Sequence, residues 1–178
     1  MIWILYIAGA LVGLVVVIAL IGLALPRDHV ASRTARFERI AIGTVWAALT
    51  DLDRQPTWRR GLRSIERVGD ARFREHTSQG TILFEVTENV APSLRITRIA
   101  DDTLPFGGRW IYELAEDRSG TRLTITEDGF VKNPVFRFLS KTVFSQTATI
   151  ERFLADLAAH LGTTVTVKPA EPSRYAAR

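Results

Sequence analysis

The first 25 residues contain no Asp, Glu, Lys, Arg or His, and Pro26-Arg27-Asp28-His29 follow at once. A bilayer hydrocarbon core about 30 Å thick needs roughly 20 apolar residues at about 1.5 Å rise each, so this run is long enough to cross one. A cleavable signal peptide would show a basic start, a shorter apolar stretch and an A-x-A-like site. None of these is present, and Leu23-Ala24-Leu25-Pro26 is a poor cleavage site. The expectation is an uncleaved, single-pass membrane anchor over residues 1–25. Arg27, Arg33, Arg36 and Arg39 lie just beyond it, which by the positive-inside rule turns the rest of the chain toward the cytoplasm. Gly9 and Gly13 form a G-x-x-x-G pair within the span. A weak homodimer through them is one reading; incidental glycines in a monomeric tether are the plainer one.

The 178-residue chain, less the anchor and a short tail, leaves material for a single domain near the common size of about 100–150 residues. With 47% apolar and 24% charged residues the composition is globular. Cysteine is absent, which removes disulfides, thiolate nucleophiles and cysteine metal sites from consideration. The net charge of +4 is built mainly from arginines spread singly, Arg36, Arg54, Arg74, Arg95, Arg122 and Arg152 among them. Spacing of that kind argues against nucleic acid and suits a domain held beside an anionic leaflet.

Residues 32–37 read as a strand and 45–49 as a short helix, broken by Asp51-Leu52-Asp53 and followed by a helical turn over 54–58. Alternating segments then occur around Ile65 and over 73–77, 81–87, 94–99, 109–114 and 121–127. Their links are too short for crossover helices, so antiparallel hairpins connect them, most clearly at Asp117-Arg118-Ser119-Gly120. Val143, Thr147, Ile150, Leu154, Leu157 and Leu161 form one continuous helical stripe that Gly162 ends. Residues 163–178, with Pro169 and Pro172, read as a flexible tail, which leaves 26–162 as the domain. The expected fold is α+β: a curved antiparallel sheet of about seven strands wrapped around a long C-terminal helix, with two short helices after the first strand. A curved sheet gripping one helix rarely fills its concavity, so a cavity is expected between them.

This order of elements, with Val45-Trp46-x-x-Leu49-Thr50-Asp51-x-x-x-x-Pro56-x-Trp58, resembles the SRPBCC superfamily, also called START-like or polyketide cyclase/dehydrase-like, over residues 31–162. Pro105-Phe106-Gly107-Gly108-x-Trp110 and Gly120-Thr121-x-Leu123-Thr124 add to the resemblance. It implies a helix-grip fold around a hydrophobic pocket, with roles ranging from lipid and hormone carriage to aromatic ring cyclisation and co-chaperone work. Because fold does not dictate function, the site must decide among these. An N-terminal membrane helix is an addition to a largely soluble superfamily, and it would bring a lipid-dwelling ligand close to the pocket.

Strand alternation places Trp110, Tyr112 and Leu114 on one face, and Leu123, Ile125 and Glu127 on one face, with the apolar sets inward. Trp110 and Tyr112 line the pocket in one reading and are plain core in the other. Glu127 then puts a carboxylate at the inner face, where it needs a partner. Inward parity on the strand from Leu94 selects Leu94, Ile96 and Arg98, making Arg98 the candidate; the alternative leaves both groups at strand ends in solvent. The resemblance places Trp46 in the core, Trp58 near the pocket mouth, and Phe136, Phe138, Leu139 and Phe144 at an entrance beside the long helix, where they either dip together into the bilayer or, the commoner reading, form a buried hinge cluster. The candidate ligand-binding set is Trp58, Phe84, Arg98, Trp110, Tyr112, Glu127 and Phe144.

His29, His76 and His160 fall in different elements, and the pairs Asp51/Asp53 and Asp101/Asp102 suit turns and caps, so no metal site is assigned. No hydrolase elbow, zinc-protease helix, P-loop or dinucleotide fingerprint occurs, so no catalytic residue or cofactor is assigned. The sequence is read as a membrane-anchored binding module for a hydrophobic or amphipathic small molecule: a lipid, isoprenoid or polyketide-like compound. One alternative is a cyclase or dehydratase using Glu127, Arg98 and Tyr112. The other is a partner-binding domain whose cavity is filled by Trp110, Phe84 and the helix stripe.

Overall fold

The structure, a computed structural model, describes residues 2–142 and 147–176. Helix α1 (Ile2–Ala24) keeps most of its apolar side chains exposed and is long and apolar enough to cross a membrane. It leads into β1 (Asp28–Glu38), the short helices α2 (Ile42–Thr50) and α3 (Gln55–Trp58), and β2 (Leu62–Arg67). Next come β3 (Arg72–Thr77), β4 (Gly80–Val90), β5 (Leu94–Ile99), β6 (Phe106–Asp117) and β7 (Gly120–Val131). Helices α4 (Pro134–Thr142) and α5 (Ala148–His160) and the two-residue β8 (Lys168–Pro169) complete the chain. All strand pairs are antiparallel, in the order β2-β3-β4-β5-β6-β7-β1-β8.

Helix α5 buries Ile150, Phe153, Leu154, Leu157 and Ala158, a stripe at the three- and four-residue spacing that places side chains on one helical face. That stripe meets Ala31, Ala35 and Phe37 of β1, Leu114 of β6, and Leu123 and Ile125 of β7, while Val45 and Leu49 of α2 close one end of the core. The β6–β7 hairpin turns where expected. Gly120 has φ 152° and sits so close to β1 that a Cβ would lie 2.2 Å from the Phe37 carbonyl oxygen.

Two expectations change. The helical stripe is carried from Ile150 onward by α5, whereas Val143 lies outside the described residues and residues 134–142 form α4. Asn133 starts α4 by accepting the backbone N–H of Val135 at 2.9 Å and of Phe136 at 3.2 Å, with Pro134 next in line where a missing donor does no harm. The tail also differs from a loose end. Val165 and Val167 pack on the main core, and β8 pairs Arg33 with Pro169 and Thr34 with Lys168. The chain then crosses the outer sheet face, where Glu171 O accepts from Ser32 Oγ at 3.2 Å and Ser173 N donates to Thr126 Oγ1 at 3.1 Å. Tyr175 and Ala176 cover Leu94, Ile96 and Ile111. The outer face of the central strands carries one apolar patch, Leu94, Ile96 and Ile111, and the tail is what removes it from water. Pro169 fits this edge strand because no ladder donor is required there.

Candidate functional site

The site is set by the register of the central hairpins. Arg95 lies opposite Tyr112 and Thr97 opposite Trp110, while Val86 faces Thr97 and Phe84 faces Ile99. Cross-strand partners share a face, so all of these side chains project toward α5. Trp58, Trp110 and Tyr112 gather around Phe153 of α5, with ring centroids 5.6, 6.0 and 5.8 Å from it. Ile111, on the other face of the same strand, is fully buried, yet Trp110 and Tyr112 stay partly open, as do Phe84, Val86 and Ile99. Helix α5 thus covers the β1–β7 side of the concave face and leaves an apolar strip accessible along β4, β5 and β6.

Polar groups border this strip. Arg59 donates to both oxygens of Glu75, at 2.5 and 3.0 Å, and to Gln55 Oε1 at 2.6 Å, with its guanidinium 5.3 Å from the Phe153 ring centre. Buried Asp156 on α5 accepts the Arg60 backbone N–H at 2.9 Å and its Nε at 2.6 Å, fixing the α3–β2 corner against the helix. Arg95 is only 7% exposed and donates to Asn89 Oδ1 at 2.9 Å. Among the described residues no carboxylate lies within ion-pair distance of it. Burial lowers the pKa of Arg95, partly opposed by Tyr112, and Arg67 lowers it further. Burial pushes the Tyr112 phenol up to about 12, so its hydroxyl is a neutral donor at physiological pH. Trp58 Nε1 is buried without an acceptor among the described residues.

Of the residues singled out from sequence, Trp58, Trp110 and Tyr112 come together, while Phe84 lies farther along the strip, stacked on Phe73 at 5.5 Å. Phe144 lies outside the described residues. The proposed pairing of Arg98 with Glu127 is corrected. Arg98 is on the outer face, where it and Arg72 both bind Glu85, whereas Glu127 shares the inner face with Trp110 and meets His29 at 3.6 Å. The error has a physical cause: Leu94, Arg95, Ile96 and Thr97 are all buried, so β5 is covered on both faces and apolarity does not mark its inside. Arg59, Glu75, Arg95 and Phe153 were missed as site residues. Tyr112 could have pointed to Arg95 had the β5–β6 register been known.

At the opposite end of the strip, α1 packs against α4. A Cβ on Gly22 would lie 1.9 Å from the Pro134 carbonyl oxygen, so only glycine permits this approach. Arg137 of α4 is 9% exposed and donates to the carbonyls of Gly22, Leu25, Val131 and Lys132 at 3.1–3.2 Å. Beside this junction Arg27 and Lys132 lie 4.9 and 5.8 Å from the Phe130 ring centre, and Phe106 and Phe136 are exposed.

Solved structures share the fold at low identity. A conserved protein from Geobacillus kaustophilus superposes with a TM-score of 0.63 at 16% identity, covering 78% of this chain and 99% of its own. A START superfamily protein from Mycobacterium smegmatis gives 0.60 at 16% identity, covering 75% and 97%. The di-domain ARO/CYC StfQ from the steffimycin biosynthetic pathway gives 0.51 at 14%, covering 75% of this chain and 52% of that one. No curated protein matches the sequence. The family model for polyketide cyclase / dehydrase and lipid transport matches residues 29–162. The chain therefore belongs to the polyketide cyclase/dehydrase and lipid transport family, whose START-like fold makes hydrophobic ligand-binding or cyclase-type modules.

Proposed function

We propose that this protein is a membrane-tethered binding module that holds one hydrophobic or amphipathic small molecule, such as a lipid or isoprenoid, along the open strip between α5 and strands β4 to β6. The observation carrying this reading is the contrast within β6: Ile111 is sealed, while Trp110 and Tyr112 on the concave face remain partly accessible. Apolar and aromatic surface of that kind, with a few polar groups at its border, suits a ligand of mixed character. Helix α1 is the anchor, and the arginines that follow it put the domain on the cytoplasmic side. The strip ends near α1, because β6 begins at Phe106 opposite Val131, and Val131 N donates to Arg27 O at 3.0 Å. A molecule leaving the bilayer would therefore meet the Ile99 and Phe84 end first.

Native mass spectrometry of the full chain released from lipid nanodiscs, after incubation with a membrane lipid extract, tests this reading. A single discrete small-molecule adduct that weakens in Trp110→Ala is expected. A protein that stays empty under those conditions overturns it.

A further inference from the structure

We propose that Arg95 and Tyr112 form an anion subsite at the end of the strip remote from α1, which takes the carboxylate or phosphate head of an amphiphile whose apolar tail runs toward Ile99 and Phe84. This rests on the binding reading above and assigns the ligand's chemistry and direction. A guanidinium taken out of water without a counter-ion is unfavourable, and such groups are normally paired. Arg95 is 7% exposed, and its hydrogen-bond partner is the neutral Asn89 amide. Other cations on the concave face are matched by carboxylates: Arg59 by Glu75 in a two-point pair, and Arg33, opposite Ile125, by Glu151 of α5 at 2.8 Å. Around Arg95 the supply of donors thus exceeds that of acceptors. Tyr112, directly across the ladder, adds a hydroxyl, which also interacts with the Thr97 side chain, and the buried Trp58 Nε1, on a ring that meets Phe153 as Tyr112 does, is a further donor without an acceptor among the described residues. The complement of such a donor set is an anionic, planar or tetrahedral oxygen group, which a guanidinium binds through two parallel bonds.

Direction follows from register. Arg95 and Ile99 are separated by four steps of one strand, about 13 Å at the usual rise. Between them Thr97, Trp110 and Val86 supply a largely apolar wall. The strip therefore has an anion-seeking end away from α1 and an apolar end beside it.

The test uses the full chain in phosphatidylcholine nanodiscs, offered palmitate, hexadecyl phosphate, methyl palmitate and hexadecanol, with adducts read by native mass spectrometry. Wild type is expected to prefer either anion over its uncharged counterpart by about tenfold or more. Arg95→Met is expected to abolish that preference while retaining methyl palmitate, and to keep or raise the unfolding temperature, since it removes a buried charge that lacks a counter-ion. Arg95→Gln provides the same comparison if the Met variant does not fold. Palmitate against hexadecyl phosphate distinguishes a carboxylate ligand from a phosphate one. Retention of the anion preference in either variant overturns the subsite, as does wild type binding charged and uncharged chains equally. If wild type takes none of the four, the binding reading itself fails.

Discussion

At the residue scale, the concave face contrasts a matched charge with an unmatched one. Arg59 and Glu75 sit mostly out of water in a two-point pair, and removing one member strands the other. Glu75→Gln is expected to lose about 3 kcal/mol in chemical denaturation, and the double variant Arg59→Met/Glu75→Leu to recover most of it. Tyr112 makes a pH prediction. Its phenol is pushed up to about 12 from an ordinary 10, so the folded state holds the proton more tightly than the unfolded chain does. The stability this contributes is complete below pH about 10 and is lost as pH rises toward 12, by on the order of 2 kcal/mol. Tyr112→Phe should flatten that stretch of a stability–pH profile. The shared face of Trp110 and Tyr112 was legible from alternation, because it continues to Leu114 as an apolar set while Arg109 and Glu113 flank Ile111 on the other face. Arg98 was misassigned for the opposite reason: β5 carries buried side chains on both faces, so a two-residue period cannot tell them apart.

At the element scale, α1 and α4 form a joint that two residues hold. Gly22→Leu places atoms where the Pro134 carbonyl oxygen stands and should force α1 off α4, read as faster hydrogen exchange over residues 134–142. Arg137→Ala leaves buried carbonyls at the end of α1 and the start of α4 without their donor. It should weaken the same joint by about 1–3 kcal/mol, visible in the same exchange experiment. The tail is a second case of an element acting on a distant one. Truncation after residue 167 removes β8, Tyr175 and Ala176 from the outer face and leaves Leu94, Ile96 and Ile111 uncovered. Expected outcomes are a lower unfolding temperature and increased binding of a hydrophobic dye, measured on the truncated protein against the full chain. Proline content suggested a loose end, because composition describes a segment's own preferences and not the apolar face waiting for it.

At the scale of the whole molecule, helix α1, its joint with α4 and the open strip follow one another. Helix α1, long and apolar enough to cross a membrane, ends at Ala24, α4 is tied to it by Arg137, and the apolar end of the strip lies at the same end of the sheet. If the proposed anchor and its orientation hold, protease added outside sealed, right-side-out vesicles or cells should leave residues 26–178 intact, and digestion of that portion would overturn the proposed orientation. The sequence by itself determined the elements whose signals are local: the uncharged run of α1, the hairpins between short alternating strands, the α5 stripe and the turn at Gly120. Each depends on hydrophobic periodicity or on backbone conformations that neighbouring residues set. Tertiary structure alone decided which face of β5 is concave, that Glu127 meets His29, that Arg95 stands beside Tyr112 without a carboxylate among the described residues, and that the tail covers the outer apolar patch. Those outcomes depend on register and on contacts between residues far apart in the chain, and a one-residue change of parity exchanges the two faces of a strand.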